Sequence, residues 1–259
     1  MGAVLEARNV NKNFGAVTAA ADISVSITSD TVVGLIGSNG AGKTTFLNMV
    51  TGYLKPSTGS IHFEGRDITP LPPRQITRLG ICRSFQIPQL FNTLSVFQNL
   101  LVGVGIVASA GRAWAGRAAH AGAPQEAVEA SLERFRLSAY RDQPAGMLPE
   151  GVRKLLDVAM AMVVRPKVLL LDEPTSGVSA GEKFDLMDMV MSAVRTDGVT
   201  VLFVEHDMEV INRYTHRVLA FYEGRIIADG EPEEVLNEPE VRKYVIGEAL
   251  HIGDPRAAS

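Results

Sequence analysis

Hydrophobic and polar residues alternate along two segments near the start of the chain, residues 4–10 and 23–27. This pattern is typical of strands that are buried on one face. Residues 31–36 form an apolar run that leads into a glycine-rich loop, as expected of a parallel strand buried on both faces. Residues 43 to about 54 then follow a helical pattern that ends at Lys55-Pro56.

Helices and strands alternate again after Gly151. The pattern predicts helices over 152–164 and 182–194, strands over 168–171 and 199–204, a hairpin over 218–228, and a helix entered at Pro232. Residues 86–147 are typical of helix and loop, with a flexible connection predicted in the alanine- and glycine-rich segment 108–123. We therefore expect an α/β fold with a parallel core, an antiparallel β flank and an inserted α-helical subdomain. An eight-fold barrel is the alternative, but eight βα units cannot be found.

The amino-acid composition argues against several classes of protein and of binding site. The chain has 259 residues, of which 46% are hydrophobic and 21% charged, as in a globular protein. A balance of 25 basic against 29 acidic residues, net charge −4, argues against nucleic acid as a partner. Cys82 is the single cysteine, which excludes an intramolecular disulfide and a cysteine-clustered zinc site. Residues 1–13 contain no apolar signal-peptide core, so we expect a cytosolic chain.

A membrane span is also unexpected, although no charged residue occurs between Arg83 and Arg112. The apolar run at 100–110 has only about ten residues, and a span needs about 20. This segment is interpreted as a buried or interfacial helix.

The strongest chemical signal is a phosphate-binding loop between the predicted buried strand and the helix after it. Its residues are Gly37, Ser38, Asn39, Gly40, Ala41, Gly42, Lys43 and Thr44. Glycines allow successive backbone amides to surround phosphate oxygens, and the helix start adds its positive dipole end. Lys43 would reach the β- and γ-phosphates, and the Thr44 hydroxyl would hold Mg²⁺. The loop predicts binding of a nucleoside triphosphate.

Two carboxylates, Asp172 and Glu173, follow a buried apolar strand. Parallel strands end at one edge of a sheet, so these groups would face the phosphate loop. Asp172 would hold Mg²⁺ through its water shell, and Glu173 would polarise the attacking water. The alternative is a solvated acidic strand end. His206 follows the next strand and would contact the γ-phosphate or the water, unless it is a structural histidine.

Together these segments resemble the ATP-binding cassette (ABC) family of transport ATPases, and the resemblance covers essentially the whole chain. It implies a P-loop NTPase (RecA-like) core and a single nucleotide-binding domain over 1–259, with the helical subdomain at about 87–165. Glu173 matches the catalytic glutamate and His206 the switch histidine of the family. Gln86 matches the glutamine that contacts Mg²⁺ and the water. Phe14 falls where the family stacks an aromatic ring on adenine, a role to be weighed against plain core packing.

Within this family the chain is most similar to the ATPase subunits of branched-chain amino acid importers. The matching segments are 37–45, which includes Thr45, together with 51–56, 83–86 and 237–249. Related importers of urea and short amides, and some lipid exporters, look similar. The resemblance implies two transmembrane permease subunits, a second ATP-binding subunit and, indirectly, an external solute-binding protein. It also implies a peripheral location on the cytoplasmic face of the inner membrane.

Two departures from the family pattern stand out. The signature loop, usually Leu-Ser-Gly-Gly-Gln, aligns with residues 148–152, where Pro149 and Glu150 replace the serine and the first glycine. Gly151 and the following helix start remain, and their backbone amides would bind a phosphate across a dimer. Ser179 stands where an aspartate is usual. An asymmetric pair with a sister ATPase accommodates both changes.

Two other functions remain as alternatives. One is a regulatory nucleotide-binding module in which the altered signature loop leaves only residual hydrolysis. The other is a soluble cassette of DNA repair or translation, which is disfavoured because the chain has no second cassette, coiled-coil insertion or basic patch.

Overall fold

A computed structural model describes the chain over residues 2–84, 89–108 and 124–247, with the side chains of 106–108 excepted. The predicted connection at 108–123 lies outside these residues except for its first position. Gln86 also lies outside them.

Strands and helices alternate along most of the chain. In chain order the strands are β1 (Ala3–Phe14), β2 (Val17–Thr28), β3 (Val32–Gly37), β4 (Thr58–Phe63), β5 (Arg66–Asp67), β6 (Ile81–Ser84), β7 (Val168–Asp172), β8 (Thr200–Val204), β9 (Arg217–Tyr222) and β10 (Arg225–Gly230). The helices are α1 (Lys43–Val50), α2 (Pro73–Leu79), α3 (Val96–Ala108), α4 (Pro124–Arg134), α5 (Glu150–Val163), α6 (Lys183–Asp197), α7 (Met208–Tyr214), α8 (Pro232–Asn237) and α9 (Pro239–Val241). Short 3₁₀ turns cover Ser138–Tyr140 and Ala145–Met147, and a π turn covers Arg242–Ile246.

The strands form two sheets. Strands β2, β1, β4 and β5 pair in that order in a four-stranded antiparallel sheet, which confirms the predicted flank. The second sheet has six strands in the order β10-β9-β3-β8-β7-β6, and all are parallel except β10 at its edge. Since β8 lies between β3 and β7, the carboxyl ends of these three strands meet at one edge of the sheet.

The parallel strands are buried on both faces, as their continuous apolar runs predict. In β3, Val33 and Leu35 face one hydrophobic core, whereas Val32 and Ile36 face the other. The first core is shared with α1 and the antiparallel sheet, and the second with α5 and α6. Each fully buried aliphatic side chain stabilises the fold by about 1.5–3 kcal/mol. The parallel sheet is therefore the rigid frame on which the loops at its edge are mounted.

Helices α3, α4 and α5 all come between β6 and β7 in the chain, where the fold class places an inserted helical subdomain. Leu100 of α3 and Leu132 of α4 are buried in one core with Leu156 of α5. Helix α3 covers most of the apolar run at 100–110 that was predicted to be a buried or interfacial helix; within it Leu100 is buried, whereas Leu101 and Val104 are only partly buried. Within the described ranges no helix combines the length and apolar character needed to cross a membrane. The single domain over 1–259 and the subdomain limits of about 87 and 165 stay predictions.

Two hairpin turns have the same sequence and geometry. Glu64-Gly65 joins β4 to β5, and Glu223-Gly224 joins β9 to β10. The φ angles are 49° and 77° in the first turn and 46° and 77° in the second. Positive φ at both central residues is the type I′ geometry that matches strand twist.

The surroundings of the two turns differ. A Cβ atom placed on Gly65 would meet nothing within 4 Å, whereas one on Gly224 would lie 3.1 Å from the carbonyl group of Ala19 in β2. The Gly224 amide donates to the Ala41 carbonyl at 3.0 Å, and its carbonyl accepts from the Ala21 amide at 2.8 Å. The β9–β10 turn therefore joins the antiparallel sheet to the loop between β3 and α1.

Candidate functional site

The loop between β3 and α1 is the predicted phosphate-binding loop. Gly42, at the N-cap of α1, has φ 106°, and a Cβ there would lie 2.7 Å from the Ala19 carbonyl oxygen. Only glycine fits that position. The N-cap supplies no side-chain hydrogen bond to the first amides of α1, so those amides remain available to an anion at the positive end of the helix dipole.

Lys43 is buried beneath this loop. Its Nζ donates to the Gly37 carbonyl at 2.6 Å and to the Ser38 carbonyl at 3.0 Å. Burial lowers the pKa of Lys43, while the nearby negative charges of Glu173 and Asp172 act in the opposite direction. The two carbonyl groups thereby hold the ammonium group against the loop.

Glu173 and His206 come together at the edge of the sheet. Glu173 follows β7 directly and has a left-handed backbone with φ 50°. His206 Nε2 lies 3.1 Å from Glu173 Oε1. The two side chains line an open cavity of about 120 Å³ together with Asn39, Gly40, Ala41, Gly42, Lys43, Thr44 and Thr45. The structure thus joins the predicted acid, histidine and phosphate loop in one site.

Asp172 does not line this cavity. Arg83 is the third residue of β6; its Nη2 lies 2.5 Å from Asp172 Oδ2, and both side chains are buried. Arg83 Nη1 also donates to Asn48 Oδ1 of α1 at 2.6 Å. The ion pair therefore fixes the Asp172 carboxylate between two strands and the helix that follows the phosphate loop.

Sequence reasoning missed three charged residues around the site, namely Arg83, Lys154 and Glu205. Lys154 of α5 donates from Nζ to the Glu173 carbonyl at 2.8 Å. Glu205 is buried and accepts from the amide and hydroxyl groups of Thr175 at 2.9 and 2.7 Å. The sequence signal available for Glu205 was its position beside His206, directly after the apolar run 201–204.

Phe14 is not a core residue, so that alternative is wrong. Phe14 is the last residue of β1 and is 52% exposed. Lys12 Nζ lies 5.1 Å from the centroid of its ring. Among the predicted site residues that the structure describes, those outside the lining of the cavity are Phe14, Gly37, Ser38, Gly151 and Asp172. Gly151 is the second residue of α5, and a Cβ there would approach Val178 at 3.8 Å.

The residues that depart from the family pattern make local polar contacts. Ser179 Oγ donates to Glu182 Oε2 at 2.6 Å. The Glu150 carboxylate lies in the first turn of α5, with Oε2 3.9 Å from Arg153 Nε. Negative charge in that turn is favourable for the helix but competes with an incoming anion.

A family model described as ABC transporter matches residues 20–176 of the chain. The chain belongs to this family. ABC membership confirms the P-loop NTPase fold and makes the protein the ATP-binding subunit of an ABC transporter, an ATPase that acts with membrane permeases. The resemblance seen in the sequence is therefore confirmed.

Similar proteins extend this ABC cassette assignment over nearly the whole chain. The probable branched-chain amino acid transport ATP-binding protein LivG of Archaeoglobus fulgidus is 34% identical over 252 residues, which cover 94% of this chain and 95% of that protein. The high-affinity branched-chain amino acid transport ATP-binding protein BraF of Pseudomonas aeruginosa is 33% identical over 255 residues, covering 95% and 98%. A solved structure, the ADP conformation of MJ1267, an ATP-binding cassette of an ABC transporter, superposes with a TM-score of 0.82 at 33% identity, covering 96% of this chain and all of that one.

Proposed function

We propose that this ABC cassette hydrolyses ATP to drive the uptake of branched-chain amino acids or related small polar compounds. The proposal is supported by relatives that carry branched-chain amino acid transport in their names and align over 94–95% of this chain. The cassette would act as a peripheral subunit on the cytoplasmic face of the inner membrane.

The proposed assembly contains two transmembrane permeases and a second ATP-binding subunit, with an external solute-binding protein and no nucleic acid. The two cassettes would pair head to tail, so that Gly151 of one faces the phosphate loop of the other. Pro149 and Glu150 favour a sister ATPase with a standard signature loop as the second subunit.

Three apolar residues beside Gln86, namely Ile87, Leu90 and Phe91, are candidates for permease docking or for core packing, and Ile87 lies outside the described residues. Leu90 packs against a hydrophobic core, whereas Phe91 is half-exposed and would contribute to permease docking.

We propose that the phosphate loop holds the triphosphate of ATP together with Mg²⁺. The loop amides and Lys43 would hold the phosphates, and Phe14 would stack on adenine. Mg²⁺ is typically held by one or two carboxylates, substrate phosphates and water. Thr44 and Asp172, together with Gln86, would hold the ion, which neutralises charge developing on the phosphates.

Glu173 would act as the general base for the attacking water, and His206 would fix its carboxylate and contact the γ-phosphate. The single observation that carries this proposal is the 3.1 Å contact between His206 Nε2 and Glu173 Oε1 across from the phosphate loop. A carboxylate held in this direction is available to a water positioned in line with the γ-phosphate.

Replacing Glu173 by Gln tests the mechanism. The amide keeps the size of the side chain and loses the basic oxygen, so we expect ATP binding to be retained and hydrolysis to fall by about 10²–10⁴-fold. Steady-state phosphate release would be measured on the purified chain and on the assembled transporter. Unchanged hydrolysis in the variant would reject the role of Glu173. A wild-type complex that stays silent would favour the regulatory module.

Uptake measurements test the substrate. In cells that lack the chromosomal copy of this subunit, the wild-type chain is expected to restore ATP-dependent accumulation of labelled leucine, and Glu173→Gln is not. Urea and a short amide serve as competing substrates in the same assay. Restored uptake of urea without leucine would replace the branched-chain assignment.

A further inference from the structure

Lys154 lies on helix α5, three residues after Gly151, and its side chain is buried. Its Nζ donates to the backbone carbonyl of Glu173 at 2.8 Å. A buried ammonium group is unfavourable unless hydrogen bonds and opposite charges compensate it. Burial lowers the pKa of Lys154, and the surrounding carboxylates, with Glu150 and Glu205 the strongest, act in the opposite direction. Such a costly group is expected to have a specific role.

The peptide that Lys154 contacts has an unusual conformation. Glu173 has φ 50°, which is unfavourable for a residue with a side chain and persists only where the surroundings hold it. Its amide donates to the Val204 carbonyl of β8 at 3.0 Å, and its carbonyl also accepts from the Ser176 amide at 3.1 Å. The backbone of Glu173 is thus fixed by β8, by the following turn and by α5.

The turn after Glu173 is anchored separately. Glu205 accepts hydrogen bonds from the Thr175 amide and hydroxyl, which ties this turn to the end of β8. Lys154 differs from these contacts because it comes from a helix outside the parallel sheet. Its hydrogen bond therefore couples the position of α5 to the backbone conformation of Glu173.

We infer that Lys154 is a positioning residue for Glu173, holding the backbone conformation that directs its carboxylate towards His206. The inference rests on the proposed function, in which that carboxylate is the general base. Without the ammonium group the Glu173 carbonyl keeps its bond to Ser176 but loses its tie to α5. The carboxylate is then free to leave the orientation in which Oε1 faces His206 Nε2.

Lys154→Met tests the inference because methionine has a similar length and no donor. Misplacement of a reacting group by about 1 Å can reduce a rate about 100-fold, so we expect kcat for ATP hydrolysis to fall by about 10- to 100-fold. Nucleotide affinity, measured by calorimetry, is expected to stay unchanged because Lys154 does not line the cavity. Lys167→Met is the matched control, since Lys167 makes a more exposed ion pair with Glu64 and should leave kcat unchanged.

A double-mutant cycle separates positioning from a general structural effect. Lys154→Met should slow the wild-type chain but not the residual hydrolysis of Glu173→Gln, in which the base is already lost. Equal factors in the two backgrounds, or an unchanged kcat in Lys154→Met, would overturn the inference. Lys154→Arg retains a donor and is expected to recover part of kcat, including where the Met variant folds poorly. An Arg variant that folds and is no faster than Lys154→Met also counts against it.

The outcome for Glu173→Gln keeps the two ideas apart. If that variant loses hydrolysis while Lys154→Met does not, only the positioning role fails. If Glu173→Gln hydrolyses ATP like the wild type, the proposed mechanism fails first.

Discussion

Arg83 and Asp172 form an ion pair of 2.5 Å in which both side chains are buried, 5% and 8% exposed. Arg83 is the penultimate residue of the edge strand β6, and Asp172 is the last residue of the neighbouring strand β7. The carboxylate proposed to bind Mg²⁺ is thus already compensated by a fixed guanidinium group. Asp172 therefore takes part in a buried structural contact in addition to its proposed role in binding Mg²⁺.

Arg83→Met is expected to destabilise the protein strongly. Removing one partner of a buried pair leaves an uncompensated charge, at a cost of about 3–5 kcal/mol in the free energy of unfolding. Arg8→Met is the control, because the Arg8–Glu6 pair is more exposed and should contribute only about 0–1 kcal/mol. Urea unfolding would measure both, and equal effects for the two variants would contradict the importance of the buried pair.

Lys43→Ala is expected to weaken ATP binding by about 10- to 100-fold. A hydrogen bond to a charged group contributes about 1.5–3 kcal/mol, and about 1.4 kcal/mol is a factor of ten in affinity. Calorimetric titration with ATP would measure the change, with Lys167→Ala as the surface control. An affinity equal to that of the wild type would exclude the Lys43 loop as the phosphate site.

Phe14→Ala tests the proposed adenine contact. A base stacked on an aromatic ring contributes about 1–3 kcal/mol, so affinity for ATP should fall while affinity for inorganic triphosphate should not. Phe14→Tyr should bind ATP normally. Val17, the exposed strand partner of Phe14, provides the control Val17→Ala. A loss of affinity for both ligands would point to a distorted loop instead of lost stacking.

Cys82 is expected to lower the free energy of unfolding at alkaline pH. Burial raises the pKa of its thiol to about 12, whereas an exposed thiol titrates near 8.5. The folded state therefore retains a proton that the unfolded state loses, so stability is complete below about pH 8.5 and decreases as pH rises towards 12. The free energy of unfolding would be measured with urea at pH 7.5 and at pH 10, for the wild type and for the non-titrating variant Cys82→Val. The wild type should lose more stability between the two pH values than the variant. The same slope in both proteins would assign the effect to other groups.

The parts of the fold that the sequence predicted are those with an unambiguous pattern. The apolar runs ending at Ile36, Leu171 and Val204 predicted central strands, and their order along one sheet edge brought the phosphate loop, Glu173 and His206 together. In contrast, β6 has four residues, and Arg83 among them carries a charge. Such a short segment has too little periodicity to indicate a strand, and α2 before it was missed as well.

Contacts between distant segments were not predictable. Arg83 and Asp172 are 89 positions apart, and Lys154 meets Glu173 through a backbone carbonyl that leaves no trace in residue type. The exposure of Phe14 likewise depends on where β1 ends relative to the rest of the sheet. These contacts arise from tertiary packing, and no local pattern in a single sequence indicates them.

The two Glu-Gly turns have a practical consequence for labelling the protein. A short affinity peptide inserted between Glu64 and Gly65 would extend into open space and leave nucleotide binding intact. The same insertion between Glu223 and Gly224 would push apart β2 and the Ala41 backbone, and nucleotide binding would be lost. Of the two identical dipeptides, Glu64-Gly65 is thus a permissive insertion site, whereas an insertion at Glu223-Gly224 is expected to disrupt the phosphate loop.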